Sequence, residues 1–128
     1  MKQIMLTGFA VAVVAGYAYA HHSFAQYYFE DRSVTVEGEL VRFDYQNPHA
    51  WVYFDAKDEQ GITQQYSAEW ANPNRLGRDN ISKDTLKAGD RIVVSGSPGR
   101  KPEEYKMHLK RIHRPGDGWV WPASRNGR

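Results

Sequence analysis

Val34-Thr35-Val36-Glu37-Gly38-Glu39-Leu40-Val41-Arg42-Phe43 is the stretch that decides the fold. Apolar and polar residues alternate from Val34 to Leu40, the period of a strand with one buried face. Val41 and Phe43 then carry the apolar side chains on the opposite phase. A strand that changes its buried face midway must bend, and Gly38 is where the bend or bulge is expected. Downstream, Asn47-Pro48 marks a turn, and residues 50–56 follow with Trp51 and Tyr53 on one face and Val52 and Phe54 on the other. Residues 58–61 read as a hairpin turn into 63–70, where Tyr66, Ala68 and Trp70 share a phase. The three strands make a meander.

After Trp70 the pattern changes. Asn72-Pro73 has the chemistry to cap and open a helical turn. Ser82, with Ile81 before it and Leu86 four positions on, has the layout of an N-cap with a hydrophobic staple, and Gly89 closes that predicted helix. A fourth strand over 91–97 and a fifth over about 105–113 are joined by the Gly/Pro/charged loop Ser97-Pro98-Gly99-Arg100-Lys101-Pro102. Three strands, a helix-containing connection and two more strands is the order of the five-stranded OB-like β-barrel, all-β with one short helix, in which a long bent first strand pairs with both halves. Another small barrel or sandwich would show the same strand pattern. The barrel domain is expected over 33–114, preceded by an arm over 21–32 and followed by a loose tail over 115–128 whose Trp119 and Trp121 could fold back onto it.

Residues 1–20 read as an address. Lys2, an apolar stretch from Ile4 to Gly16, and Ala18-Tyr19-Ala20 match the charged, apolar and A-x-A parts of a secretory signal peptide, and the stretch is short for a bilayer span. The expectation is export to the periplasm or beyond, with no stable membrane span once the leader is cleaved. The chain has 128 residues and no cysteine, which excludes disulfides, thiolate ligands and a thiol nucleophile. The roughly 100 residues left after cleavage suffice for one core without staples. With 17 Lys+Arg against 15 Asp+Glu, the charge balance gives no long-range field for polyanions, so nucleic acid is not an expected partner.

Among chemistry-bearing residues, His21-His22-Ser23-Phe24 stands directly after the predicted cleavage site. An amino-terminal histidine offers its α-amine and its imidazole to one ion, and a nearby imidazole completes a three-nitrogen set that suits Cu(II), with zinc or nickel as alternatives. His49, in Asn47-Pro48-His49-Ala50-Trp51, lies in the turn between the first two strands, at the rim where OB-type barrels bind ligands. If the arm runs along that rim, His21, His22 and His49 converge. The plainer reading is a solvated histidine pair at a terminus and a turn histidine packed on Trp51.

Carboxylates near that turn are Asp44, Asp55 and Glu69, and Glu69 is the first candidate to ligate metal or to hold an imidazole. An exposed strand carboxylate paired with Lys or Arg is its ordinary alternative. His113, at the end of the fifth strand, is a weaker candidate of the same kind. His108 shares a phase with Lys106 and Lys110, opposite Tyr105, Met107 and Leu109, so it reads as solvent-facing and outside the site, with Met107 in the core. No G-x-S-x-G, phosphate loop or H-E-x-x-H is present, so standard catalysis has no pattern here. Trp51 and Trp70 are the candidate ligand-binding aromatics of the rim.

His21-His22-Ser23-Phe24-Ala25, Gly38-Glu39-Leu40, Asn47-Pro48-His49-Ala50-Trp51, Glu69 before Asn72-Pro73, and Leu86-Lys87-Ala88-Gly89-Asp90 leading to Gly96-Ser97-Pro98 together resemble a family of small exported bacterial proteins of unknown function. Its members begin their mature part with an HHSFA-like motif and carry an NPH turn. The resemblance spans most of the mature chain and implies a periplasmic or secreted OB-like domain, with no activity attached. The chain departs from that pattern at Arg78-Asp79-Asn80 and Gly99-Arg100-Lys101.

Two functions from different classes follow. One is a periplasmic metal-binding protein, copper first, using His21, His22 and His49. The other is a non-catalytic binding module whose rim holds a small molecule, glycan or protein partner. A copper mono-oxygenase shares the ligand chemistry of the first but requires a substrate surface that no motif marks.

Overall fold

The computed structural model describes residues 23–123. The strands are β1 (Val34–Asp44), β2 (Trp51–Lys57), β3 (Thr63–Glu69), β4 (Arg91–Pro98), β5 (Lys106–Arg114) and β6 (Trp119–Trp121), with helix α1 (Pro73–Arg78) between β3 and β4. Hydrogen bonding runs β3-β2-β1-β4-β5, and a parallel pairing of β3 with β5 closes the ring. That is a closed five-stranded OB-like barrel. β1 serves both halves: Val34 to Glu39 pair with β4, and Glu39 to Asp44 pair with β2. Leu40, Val52, Phe54, Ala68, Ile92, Val94, Met107 and Ile112 point inward and are buried, each large apolar side chain contributing about 1.5–3 kcal/mol.

The phase change in β1 is present, but one step away from the glycine. Register slips between Leu40 and Arg42, so Val41 is the extra residue and is pushed outward, after which Phe43 packs against the core. Gly38 has a different duty. A Cβ there would stand 2.3 Å from the Asp55 carbonyl oxygen, so only glycine allows β1 to cross so close to β2.

One end of the barrel is plugged by the β3–β4 connection. Asn72 caps α1 by accepting from the Arg75 N–H at 2.9 Å, Pro73 opens the helix, and Leu76 enters the core. The second predicted helix, after Ser82, does not form. The Ser82 N–H donates to Thr85 Oγ1 and the Asp84 N–H to Ser82 Oγ, side-chain bonds that turn the backbone locally in place of a helical ladder. Ile81 and Leu86 are still buried, as anchors of a double turn that ends at Gly89 with φ +92°.

The described parts of the tail, residues 115–123, and of the arm, residues 23–32, both pack on the barrel, so the tail is not loose over those residues. Residues 119–121 add β6 to the edge of β5, and Trp121 sits edge-on against Trp70, with centroids 5.1 Å apart. A helical turn over 23–27 leads to Tyr28, which is fully buried and bridges Gly99. The Phe29 N–H donates to Pro98 O, and the Arg100 N–H to Tyr27 O, so the arm adds a short extra pairing at the end of β4.

Candidate functional site

Directly paired residues share a face, and the outward face of β2, β3, β5 and β4 carries the row Trp51, Glu69, His108 and Ser97. The arm lies over this row. His49 joins it because the residue before β2 is pinned beside the end of β3: the Ala50 N–H donates to Ala71 O at 2.9 Å and the Trp70 N–H to Ala50 O at 2.8 Å. The result is a polar cluster under an aromatic cover.

Two histidine–glutamate pairs make up the cluster. His49 Nδ1 lies 2.8 Å from Glu69 Oε1, and the Tyr28 hydroxyl donates to Glu69 Oε2. His108 Nδ1 lies 2.7 Å from Glu30 Oε1, while Lys110 Nζ at 2.7 Å and Ser97 Oγ at 3.3 Å donate to Glu30 Oε2. A carboxylate oxygen accepts, so in each pair Nδ1 is the donor and Nε2 faces away from the glutamate. Phe24 touches both rings. It stacks on His108 with 4.0 Å between centroids and 2° between planes, and its centroid lies 5.4 Å from that of His49.

Electrostatics follow burial. Desolvation lowers the pKa of His108 and outweighs the opposing pull of Glu30, which keeps the ring neutral near pH 7. Burial tends to raise Glu30, but hydrogen bonds from Lys110 and His108 overcome it and hold the carboxyl below its ordinary value. The Tyr28 phenol is pushed far up by burial and by the Glu69 carboxylate it donates to.

His21 and His22 lie outside the described residues, as do the leader and residues 124–128. His49 and Glu69 meet. His113 does not join them: it pairs with Val93 and Val120, five residues along β5 from His108. Asp44 binds Arg42 at 2.8 Å, and Asp55 is placed between Glu39 and Gln65 on the neighbouring strands. Trp51 lies on the outer wall beside Glu69, stacked on Tyr53, with Lys106 Nζ 5.2 Å from its ring centre. Trp70 is corrected: at 1% exposure it is core, wedged against Phe43 and Trp121, because it continues the inward phase of Tyr66 and Ala68.

Sequence reasoning missed His108, Tyr28 and Glu30. The phase of His108 points away from the barrel core as expected, but that face is roofed by the arm, and only 16% of the side chain is exposed. The aromatic run Phe24 to Phe29 ahead of the first strand was the available signal that the arm packs.

Among the described residues, no group of three or more His, Asp or Glu side chains converges as a metal cage. A cleft of about 1030 Å³ opens elsewhere, along Val36, Ala56, Tyr66 and Tyr105, and contains neither histidine–glutamate pair. Nor is any described helix long and apolar enough to cross a membrane.

A model of a family of unknown function, DUF6152, matches residues 10–107. No curated protein matches. Among solved structures, the mitochondrial single-stranded DNA-binding protein Rim1 of S. cerevisiae is similar at a TM-score of 0.48 and 12% identity, over 65% of this chain and 92% of that one.

Proposed function

Because the chain belongs to the family of unknown function DUF6152, which brings no activity with it, we propose from its own residues that it is an exported metal-binding domain, copper first and zinc or nickel second. In this reading a signal peptide over residues 1–20 is removed. His21 then supplies its amine and imidazole, His22 and His49 supply further nitrogens, and Glu69 holds His49 in the ligating tautomer.

The observation that carries this reading is the position of Phe24. Its ring centroid lies 5.4 Å from that of His49, and one residue, Ser23, separates it from His22 in the sequence. With about 3.8 Å between successive Cα atoms, the two or three steps of chain from Phe24 back to His22 and His21 are long enough for the amino-terminal donors to reach the wall. Bound copper would supply a redox-active, Lewis-acidic centre, while the chain's own part is to orient imidazoles and shield them with Phe24. The test is Cu(II) titration of the form beginning at His21 against one extended by a single residue. Distinctly weaker binding by the extended form is expected, and equal binding overturns the role of the amine.

A second reading, a binding module for a small molecule, glycan or protein partner, rests on Trp51 and Tyr53. Their rings stack on the outer face of β2, with the Arg42 guanidinium 4.2 Å from the Tyr53 ring centre. Retention of a partner by metal-free protein, and its loss in Trp51→Ala, would favour this reading.

A further inference from the structure

At the end of the barrel away from α1, two strand edges part without pairing. β1 is shared by both halves of the barrel, so its pairing with β2 begins only at Glu39 and Asp55, and the residues from Val34 to Gly38 pair with β4 alone. The same register carried further would set Glu37 opposite Lys57, but there β2 pairs only with β3. The Leu40 N–H donates to Asp90 O at 2.8 Å and the Gly89 N–H to Leu40 O at 2.8 Å, so Leu40 turns its backbone groups toward the β4 side. Successive residues of a strand turn theirs to opposite sides. Those of Val34, Val36 and Gly38 therefore go to β4, and those of Thr35 and Glu37 go to the open side. Among the described residues, no strand pairs with Thr35 or Glu37 there.

The cleft of about 1030 Å³ runs along this edge, with residues 34–37 on one side and Ala56 and Lys57 on the other. Its inner face is apolar and aromatic: Val36 and Tyr66 pack on the core, and the Tyr66 and Tyr105 rings meet edge to face with centroids 5.3 Å apart. The side chains of Thr35, Glu37 and Lys57 lie exposed on the outer side. A molecule laid in the cleft thus meets an N–H and a C=O at every second residue, about 6.8 Å apart, between one apolar and one polar face. An extended peptide of alternating apolar and polar residues has that repeat, and a compact small molecule does not. Native sheets blunt a free edge with proline, a bulge or a covering element. Val34-Thr35-Val36 holds no proline, its register with β4 is regular, and Glu37 is drawn to Arg91 at 3.2 Å on the neighbouring strand.

We propose that the free edge of β1, residues 34–37, takes an extended segment of a partner protein as an added strand. The segment's main chain pairs with Thr35 and Glu37, and its alternate apolar side chains enter the barrel mouth against Val36, Tyr66 and Tyr105. This site is independent of both readings above, which use the outer face around His49, Trp51 and Tyr53.

The test starts with amide exchange in the free protein, where Thr35 and Glu37 are expected to exchange much faster than Val36, whose N–H lies in the β4 ladder. Equal protection, at any protein concentration, means that another part of the chain or a second copy already covers the edge, and overturns the proposal. The probe is then the tightest peptide selected from a random library on the whole protein. It is expected to slow exchange at Thr35 and Glu37, and to lose binding when N-methylated at every second position but not at the positions between. Thr35→Pro removes the edge N–H without touching the β4 ladder, and should weaken the peptide at least about tenfold relative to Thr35→Ala, which loses the same hydroxyl contact with Ser95. A library that yields no binder, a peptide that protects only other amides, or one indifferent to N-methylation throughout overturns the proposal. Should Thr35→Pro not fold, the N-methylated peptides on the wild-type protein decide the matter.

Discussion

The phenyl ring of Phe24 lies flat on the imidazole of His108, 4.0 Å from centroid to centroid and 2° out of parallel. This contact joins the first described turn of the chain to the fifth strand of the barrel, and it sets a histidine that points out of the core beneath a lid. The arm and the wall therefore act as one unit: Tyr28 reaches Glu69 from above, and Glu30 reaches His108, Lys110 and Ser97. The first predictions test that union.

Phe24→Ala removes the stacked ring. Aromatic pairing is worth about 0.5–1.5 kcal/mol beyond the area it buries. Amide exchange should quicken at Tyr28, Phe29 and Arg100, whose N–H groups bond within the arm or across to β4. Val94 and Ile112, deep in the barrel, should keep their protection. Unchanged exchange in the arm would show that the stack does not hold it.

Tyr28→Phe keeps the buried ring and removes only the hydroxyl that donates to Glu69. A hydrogen bond to a charged group contributes about 1.5–3 kcal/mol, and its carboxylate partner is left short of a donor. The urea midpoint should fall accordingly, with an unchanged m-value. An unmoved midpoint would mean that the Tyr28–Glu69 contact adds nothing to stability.

Gly96→Ala should be among the most damaging single-methyl additions. It lies where the β4–β5 register slips, and a Cβ there would stand 1.9 Å from the His108 carbonyl oxygen. Backbone has to move, at a cost on the order of 3 kcal/mol or more. Gly116→Ala, with nothing within 4 Å, should change stability by no more than about 0.5 kcal/mol. Equal thermal shifts for the two variants would contradict the close approach of β4 to β5.

Acid should open the β5–β6 hairpin before the barrel. Hydrogen bonds from Arg114 hold Asp117 below its ordinary value of 3.8. A carboxyl with a depressed folded pKa stabilises the fold above its unfolded pKa, and that contribution is lost as pH falls through the folded value. Fluorescence of Trp119, whose ring centre lies 5.5 Å from the Arg114 guanidinium, should therefore change below about pH 4. The transition should be absent in Asp117→Asn, and its persistence there would assign it to another group.

Much of the barrel was legible in the sequence because strand alternation reports directly on which side faces the core. Val52, Phe54, Ala68 and Trp70 fall inside as their phase requires. Turn chemistry was less informative. Ser82 has the pattern of a cap, but its side chain and that of Thr85 close a local turn, and the anchors Ile81 and Leu86 are satisfied without a helix. Alternation also says nothing of what covers the outer face, which is why His108 read as solvated; Trp70 read as part of a rim from its place at the end of β3, although its phase is inward. The pairing of His49 with Glu69 depended on Ala50 being bonded between Trp70 and Ala71, a tertiary fact that no spacing in the chain encodes.

Native mass spectrometry of the exported protein, with one equivalent of Cu(II) supplied, bears most directly on the metal-binding account. The account predicts a chain whose first residue is His21, carrying one copper that is lost when His49 is replaced by glutamine. A chain that starts beyond His22, or one that starts at His21 and takes up no copper, would contradict it.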